Sequence, residues 1–184
     1  MMANSVHRQR FMSRQHTPGK GHEMSDLPEE EIRIVEFGEE DAEEISELFR
    51  EVWPQAIEYP ESWREKRMYN AEQVLEDMRN GYHYFGSRLE SRIVGLYKAK
   101  ITDKGLFGEH QTVRSICQGT GLASAMYMQF ADYGRANGCK RNYCNILVGQ
   151  TTGERLMKKF GFRPWGAPYE QMEGMLVQMY ERIL

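Results

Sequence analysis

A chain of 184 residues that is 40% hydrophobic, 11% aromatic and 28% charged has the length and composition of one soluble globular domain. No apolar run nears the roughly 18 residues a membrane span requires. The net charge of −3 divides into +3 over the first 23 residues (Arg8, Arg10, Arg14 and Lys20 against Glu23) and −6 over the rest, which argues against nucleic acid as a partner.

Residues 1–30 lack hydrophobic periodicity and read as a disordered basic tail, with Met24 an alternative start and a single domain over 31–184. Ile32, Ile34 and Val35 before Gly38 read as a first strand. Ile45, Leu48, Phe49 and Val52 fall at i, i+3, i+4 and i+7 of a helix whose first turn carries Glu40, Asp41, Glu43 and Glu44, where the helix dipole favours anions. Trp53 to Trp63 contains two prolines and three large aromatics and reads as a connecting loop. Asn70 and Gln73 form a capping box for a second helix that stops at Asn80-Gly81.

Three strands follow, Tyr82–Leu89, Arg92–Ile101 and Leu106–Val113, pairing most simply as an antiparallel meander. A longer helix after Gly121 places Leu122, Met126, Tyr127, Phe130 and Tyr133 on one stripe. Met126 reads as core and Met128 as surface. A fifth strand spans Asn142–Val148, and Thr151 with Glu154 reads as a capping box for a helix that inserts Leu156 and Phe160. Two last strands are expected near Phe162–Gly166 and Met175–Arg182. The order implies an α/β fold of the mixed α+β kind, a mostly antiparallel central sheet of about seven strands with helices on both faces. Cys117, Cys139 and Cys144 are odd in number and lack C-x-x-C spacing, and no metal-ligand cluster or apolar signal segment is evident. This reading expects no metal and a reducing, cytoplasmic compartment.

Chemistry concentrates in Val113-Arg114-Ser115-Ile116-Cys117-Gln118-Gly119-Thr120-Gly121-Leu122-Ala123-Ser124. Here a glycine-rich loop joins a strand to an amphipathic helix. Gly119 and Gly121 permit a tight turn, and the free amides of the helix's first turn form a site for a pyrophosphate. A purely structural turn is the alternative. The segment lacks the third glycine of a dinucleotide fingerprint and the Gly-Lys-Ser/Thr of a P-loop.

Gln118-Gly119-Thr120-Gly121-Leu122-Ala123 resembles the Gln/Arg-x-x-Gly-x-Gly/Ala signature of the GNAT N-acetyltransferase superfamily, and Leu156-Met157-Lys158-Lys159-Phe160-Gly161-Phe162 resembles that family's Leu-Tyr-x-x-x-Gly-Phe landmark. The resemblance covers roughly Ile32 to Leu184. It implies that the fourth and fifth strands splay into a cleft for acetyl-CoA. The pantetheine would lie on the backbone of Val113, Arg114 and Ser115, and the pyrophosphate on Gln118, Gly119, Thr120, Gly121, Leu122 and Ala123, with Ser124 close by and Gln150 near the pantetheine. It also implies an N-acetyltransferase acting on a small-molecule or protein amine by direct attack in a ternary complex.

Two departures bear on mechanism. Met157 stands where a Tyr commonly protonates the leaving thiolate, and methionine cannot donate a proton. Gly153 stands where Ala is common and costs about 1 kcal/mol of helix propensity. The chain is therefore either an enzyme or a catalytically weak acyl-CoA-binding sensor or regulatory module. Glu109 is the candidate general base, since strand alternation puts it on the same face as Val113 and opposite His110. His83 is either structural or functional, and Tyr169 and Tyr180 are candidate substitute acids. Trp53, Tyr59 and Trp63 with Glu58 and Glu61 form either a wall for a cationic amine or a packed cap. Trp165 and Tyr169 are candidates for a homodimer interface.

Overall fold

The computed structural model describes residues 32–184. The tail expected over residues 1–30 lies outside them. The described residues build one eight-stranded sheet. Strand β1 is Val35–Phe37, beginning later than the Ile32 expected because its ladder starts opposite Gly86 of the next strand. Helix α1, Ala42–Val52, follows a 3₁₀ turn at Glu39–Asp41. The stretch from Trp53 is not all loop. Trp53–Gln55 is a 3₁₀ turn with Pro54 in its first positions, and Pro60, with φ −54°, caps a short helix α2, Glu61–Glu65. The prolines break one helix and seed the next, as their fixed φ allows.

Helix α3, Ala71–Arg79, carries the capping box: Gln73 N donates to Asn70 Oδ1 at 2.9 Å and Asn70 N to Gln73 Oε1 at 3.0 Å. Strands β2 (Tyr82–Leu89), β3 (Arg92–Thr102) and β4 (Gly105–Val113) form the antiparallel meander. Helix α4, Leu122–Ala136, leads to β5, Arg141–Leu147, and α5 spans Thr151–Lys159. The box expected at Thr151 does not form. Gln150 is the N-cap, without a side-chain cap bond, and Glu154 Oε1 accepts from Gly149 N at 3.2 Å instead. Strand β6 is only Arg163–Pro164, β8 spans Met175–Ile183, and β7, Tyr169–Met172, is a strand the sequence pattern did not show.

The sheet runs β1-β2-β3-β4-β5-β8-β6, with β7 also pairing β8. The last strand therefore lies inside the sheet, beside β5. Consecutive apolar residues in β2 and β3 point to opposite faces. Tyr84, Ile93 and Leu96 pack with Phe37, Ile45, Leu48, Phe49 and Val74 under α1 and α3. Phe85, Val94 and Tyr97 pack with Met126, Phe130, Met157 and Phe162 under α4 and α5. Burying each such side chain contributes roughly 1.5–3 kcal/mol. In α5 the fully inward positions are Gly153 and Met157, while Leu156 and Phe160 are half-buried at the cluster's margin. No described helix is long and apolar enough to cross a membrane.

Candidate active site

Strands β4 and β5 pair in parallel only from Leu106–Gly108 against Asn142–Cys144. Beyond Gly108 and Cys144 they part, and a cavity of about 150 Å³ opens between Glu109–Gln111 on one side and Asn145–Leu147 on the other. Tyr127 and Phe130 of α4 close one wall, and Trp53, Tyr59, Trp63 and Arg67 another. Further along β4, Arg114 N donates to Val94 O at 2.9 Å. That turns the polar groups of Arg114 toward β3 and, by alternation, the N–H and C=O of Val113 toward the parted side.

The loop after β4 presents unpaired amides. Ser115–Cys117 is a 3₁₀ turn in which Cys117 N donates to Arg114 O and Gln118 N to Ser115 O. The Gln118 amide is thus occupied, leaving its side chain. Among the described residues, the amides from Gly119 to Ser124 have no acceptor. Thr120 Oγ1 donates to Cys117 O at 2.8 Å, holding the turn from within. Gly119 and Gly121 have φ of +80° and +97°, with Gly121 the N-cap of α4. A side chain at either position would be strained. Lys159, at the end of α5, donates to Ser124 Oγ at 2.9 Å and adds a cation to the positive end of α4. The Arg114 side chain takes no part, being buried with Nε on Ile93 O at 2.9 Å and its guanidinium paired with Glu51.

A β-bulge reorders the faces of β4. Leu96 faces Thr112 and Lys98 faces Glu109, so three steps on β4 meet two on β3. The extra residue falls at His110, whose φ is 58°. Simple alternation fails here: Glu109 and His110 both turn toward the α1 and α3 side, whereas Val113 packs in the α4 cluster. The expectation that Glu109 shares Val113's face, with His110 opposite, is corrected by this bulge.

Glu109 lines the cavity within an ion network. Arg67 Nη1 donates to its Oε2 at 2.8 Å, and Lys98 Nζ lies 3.5 Å from Oε1. Burial raises the Glu109 pKa, but Lys98 and Arg67, with hydrogen bonds from Arg67 and Tyr82, outweigh it and hold the carboxyl below its usual value. Lys98 itself is 1% exposed, 2.5 Å from Asp77 Oδ2 and packed against the rings of Tyr69 and Tyr82. His110 is 4% exposed and stacks on Phe49 at 4.8 Å, with Trp53 and Tyr69 edge-on. Neither ring nitrogen has a hydrogen-bond partner among the described residues. Burial first, then Arg67 and Lys98, press its pKa well below 6.5, with the Arg67 backbone opposing. An unpaired buried polar group costs about 1–3 kcal/mol, and a non-glycine residue at positive φ a similar amount.

Tyr59 and Trp63 stack at 4.4 Å and Trp53 meets both edge-on, so the aromatic segment is both packed and cavity-lining. The cation on it is the chain's own Arg67, 4.3 Å from the Trp63 ring centre. Burial, with Glu58 adding, raises the Tyr59 pKa to about 12. Gln150 lines the cavity and donates to the exposed Glu58 at 3.3 Å. A Cβ on Gly153 would come within 2.8 Å of Gln150 Oε1 and 3.0 Å of Ile146 Cγ2. The nearer of these is the mobile end of the Gln150 side chain, so a small side chain at 153 would require only that Gln150 shift.

Met157 is fully buried, 3.5 Å from Cys144 Sγ, and is not among the cavity's lining residues. Nor are Tyr169, which accepts from Asn145 Nδ2 at 2.8 Å, or Tyr180. The lining tyrosines are Tyr59, Tyr97 and Tyr127. His83 lies elsewhere, with Nδ1 2.6 Å from Glu36 Oε1. Arg67 and Lys159 were given no role from the sequence. The Arg67 contact to Glu109 spans 42 residues, and nothing local announces it. Among the described residues no group of three His, Cys, Asp or Glu side chains could hold a metal ion.

Solved structures place this architecture. The PaiA N-acetyltransferase of Thermoplasma acidophilum, in complex with coenzyme A, superposes with a TM-score of 0.68 at 18% identity, over 83% of this chain and 99% of that one. The ribosomal-protein-alanine N-acetyltransferase of Brucella melitensis gives 0.66 at 17% identity, over 82% and 99%. The Salmonella typhimurium protein yncA, with its cofactor acetyl-CoA, gives 0.65 at 17% identity, over 83% and 93%. No curated protein matches the sequence significantly. The family model described as the acetyltransferase (GNAT) family matches residues 42–162. With a match over that much of the sequence, the chain belongs to the acetyltransferase (GNAT) family and is an acyltransferase.

Proposed function

We propose that the chain transfers an acetyl group from acetyl-CoA to a primary amine, the amine attacking directly while both substrates are bound. The observation that carries this reading is the parting of β4 and β5 beside a run of unpaired amides from Gly119 to Ser124. Unpaired amides at a helix N-terminus suit a pyrophosphate without a basic domain, and Lys159 adds the local charge. The outward N–H and C=O of Val113 and the amide of Ser115 suit the amide groups of a pantetheine arm. Gln150 and the cavity between Glu109 and Asn145 lie where that arm would end. Bound there, acetyl-CoA supplies an activated acyl carbon, and the chain's part is to orient it against an amine.

Direct attack is supported by Cys144, the thiol that lines the cavity. Burial raises its pKa to about 12, so it stays a thiol and is a poor acyl carrier. The test is calorimetric titration of acetyl-CoA and CoA into the full chain and into Gly121→Glu, whose side chain would enter the amide loop. Micromolar binding, weakened at least tenfold in the variant, supports the reading. A folded wild type that binds neither ligand overturns it. Thiol release in the presence of amines then separates an enzyme from a binding module.

A further inference from the structure

We propose that the donors of this acyltransferase extend beyond acetyl-CoA to straight-chain acyl-CoAs of three and four carbons, the tail lying in an apolar compartment between the sheet and helices α4 and α5. This deepens the acetyl-transfer reading above and rests on it. The cavity passes between the parted strands, and their faces divide it. Cys144 and Ile146 of β5 pack in the cluster under α4 and α5, so alternation turns Asn145 and Leu147 to the other side. Arg67 and Glu109, the ion pair that lines the cavity, stand on that other side as well. On the α4 and α5 side the lining is Tyr97, Met126, Tyr127, Phe130, Cys144 and Ile146. Tyr97 gives its hydroxyl to Gln129, and Cys144, raised by burial, stays an uncharged thiol.

Small residues keep this compartment open. Gly108 carries no side chain, and the Phe130 ring closes the floor, 2.7 Å from where a Cβ would stand. Cys144, opposite Gly108 in the register, carries only its thiol. Gly153 of α5 lines the cavity without a side chain, and buried Met126 bounds it with an unbranched, adaptable one. The arm proposed for Val113 and Ser115 comes from the open end of the cleft, so a tail beyond the thioester carbon continues toward the closing rung at Gly108 and Cys144. A hydrocarbon tail gains by leaving water and takes the apolar side, while an amine, which needs polar partners, is left the side of Glu109 and Asn145. Acetyl places a single methyl there, and apolar space without atoms forfeits contacts. The cavity of about 150 Å³ is comparable with an apolar cavity that takes up benzene, whereas butyryl adds two methylenes to acetyl. The transfer step is the same for each tail. The amine nitrogen bonds to the acyl carbon, the C–S bond breaks with its electrons on sulfur, and the proton lost by nitrogen balances the one that sulfur takes up. The products are the N-acyl amide and CoA.

The experiment is calorimetric titration of CoA and of acetyl-, propionyl-, butyryl- and octanoyl-CoA into the full chain and into Gly153→Leu. Expected is an affinity that rises about fourfold per methylene from acetyl to butyryl and rises no further with octanoyl. Gly153→Leu puts a side chain into the compartment at a helix position where leucine is the better former, and should bring the butyryl-to-acetyl affinity ratio down to one or below. An affinity that is flat or falls from acetyl to butyryl, or that climbs undiminished to octanoyl-CoA, overturns the proposal and leaves acetyl transfer standing. So does a ratio that Gly153→Leu leaves unchanged. A folded wild type that binds none of the five compounds overturns the acetyl-transfer reading itself. If Gly153→Leu does not fold, the wild-type series alone decides.

Discussion

His110 joins three unfavourable conditions in one side chain: positive φ, burial and two unpaired nitrogens. Its depressed pKa makes the folded state refuse a proton that the unfolded chain accepts below about pH 6.5. Stability from this group is therefore complete above that pH and falls as the pH drops, by about 1.4 kcal/mol per unit. Glu109 acts in the same direction at lower pH. Its carboxyl is held below the usual value, so its contribution is present above the unfolded pKa and fades as the pH falls through the folded one. Chemical denaturation between pH 7 and 5 is expected to show the His110 slope, and His110→Asn, which keeps a residue tolerant of positive φ, should flatten it. None of this was legible in the sequence, where Glu109 and His110 are adjacent on a strand. The faces they occupy follow from a bulge set by pairing with Leu96 and Lys98, and pairing is not a local property.

Where a signal is local, the elements follow it closely. Asn70 and Gln73 sit three apart before an apolar repeat, and the structure contains that box with both bonds formed. Replacing Asn70 with Ala should cost about 1 kcal/mol in a denaturant titration without changing the proposed acetyl-CoA site. The apolar stripe of α4 and its glycine-rich start were equally plain, because periodicity and left-handed glycines are properties of a few neighbouring residues. Thr151 and Glu154 had the same spacing as a capping box, yet the helix there starts one residue earlier in its cap and Glu154 turns to Gly149. Strand β7, with three of its four residues exposed, carries no alternation to reveal it. The meeting of Lys159 with Ser124 depends on how α5 packs beside α4, 35 residues apart in sequence.

At the scale of the molecule, the order β4-β5-β8 decides much else. Three paired positions join the meander to the second half of the sheet, and β8 supplies the long antiparallel partner of β5, seven positions from Arg141↔Ile183 to Leu147↔Val177. A strand that follows all the other described strands but lies within the sheet delays completion of that sheet during synthesis. Until Met175–Ile183 leaves the ribosome, β5 has one edge bare along its length, and an uncovered edge is a template for pairing with other chains. A chain ended at Gly174 is expected to sediment as aggregate rather than remain in the supernatant, and adding a peptide of residues 175–184 during refolding should recover soluble protein. The placement of β8 beside β5 thus makes the nascent protein dependent on residues 175–183, and on whatever shields β5 while they are still being made.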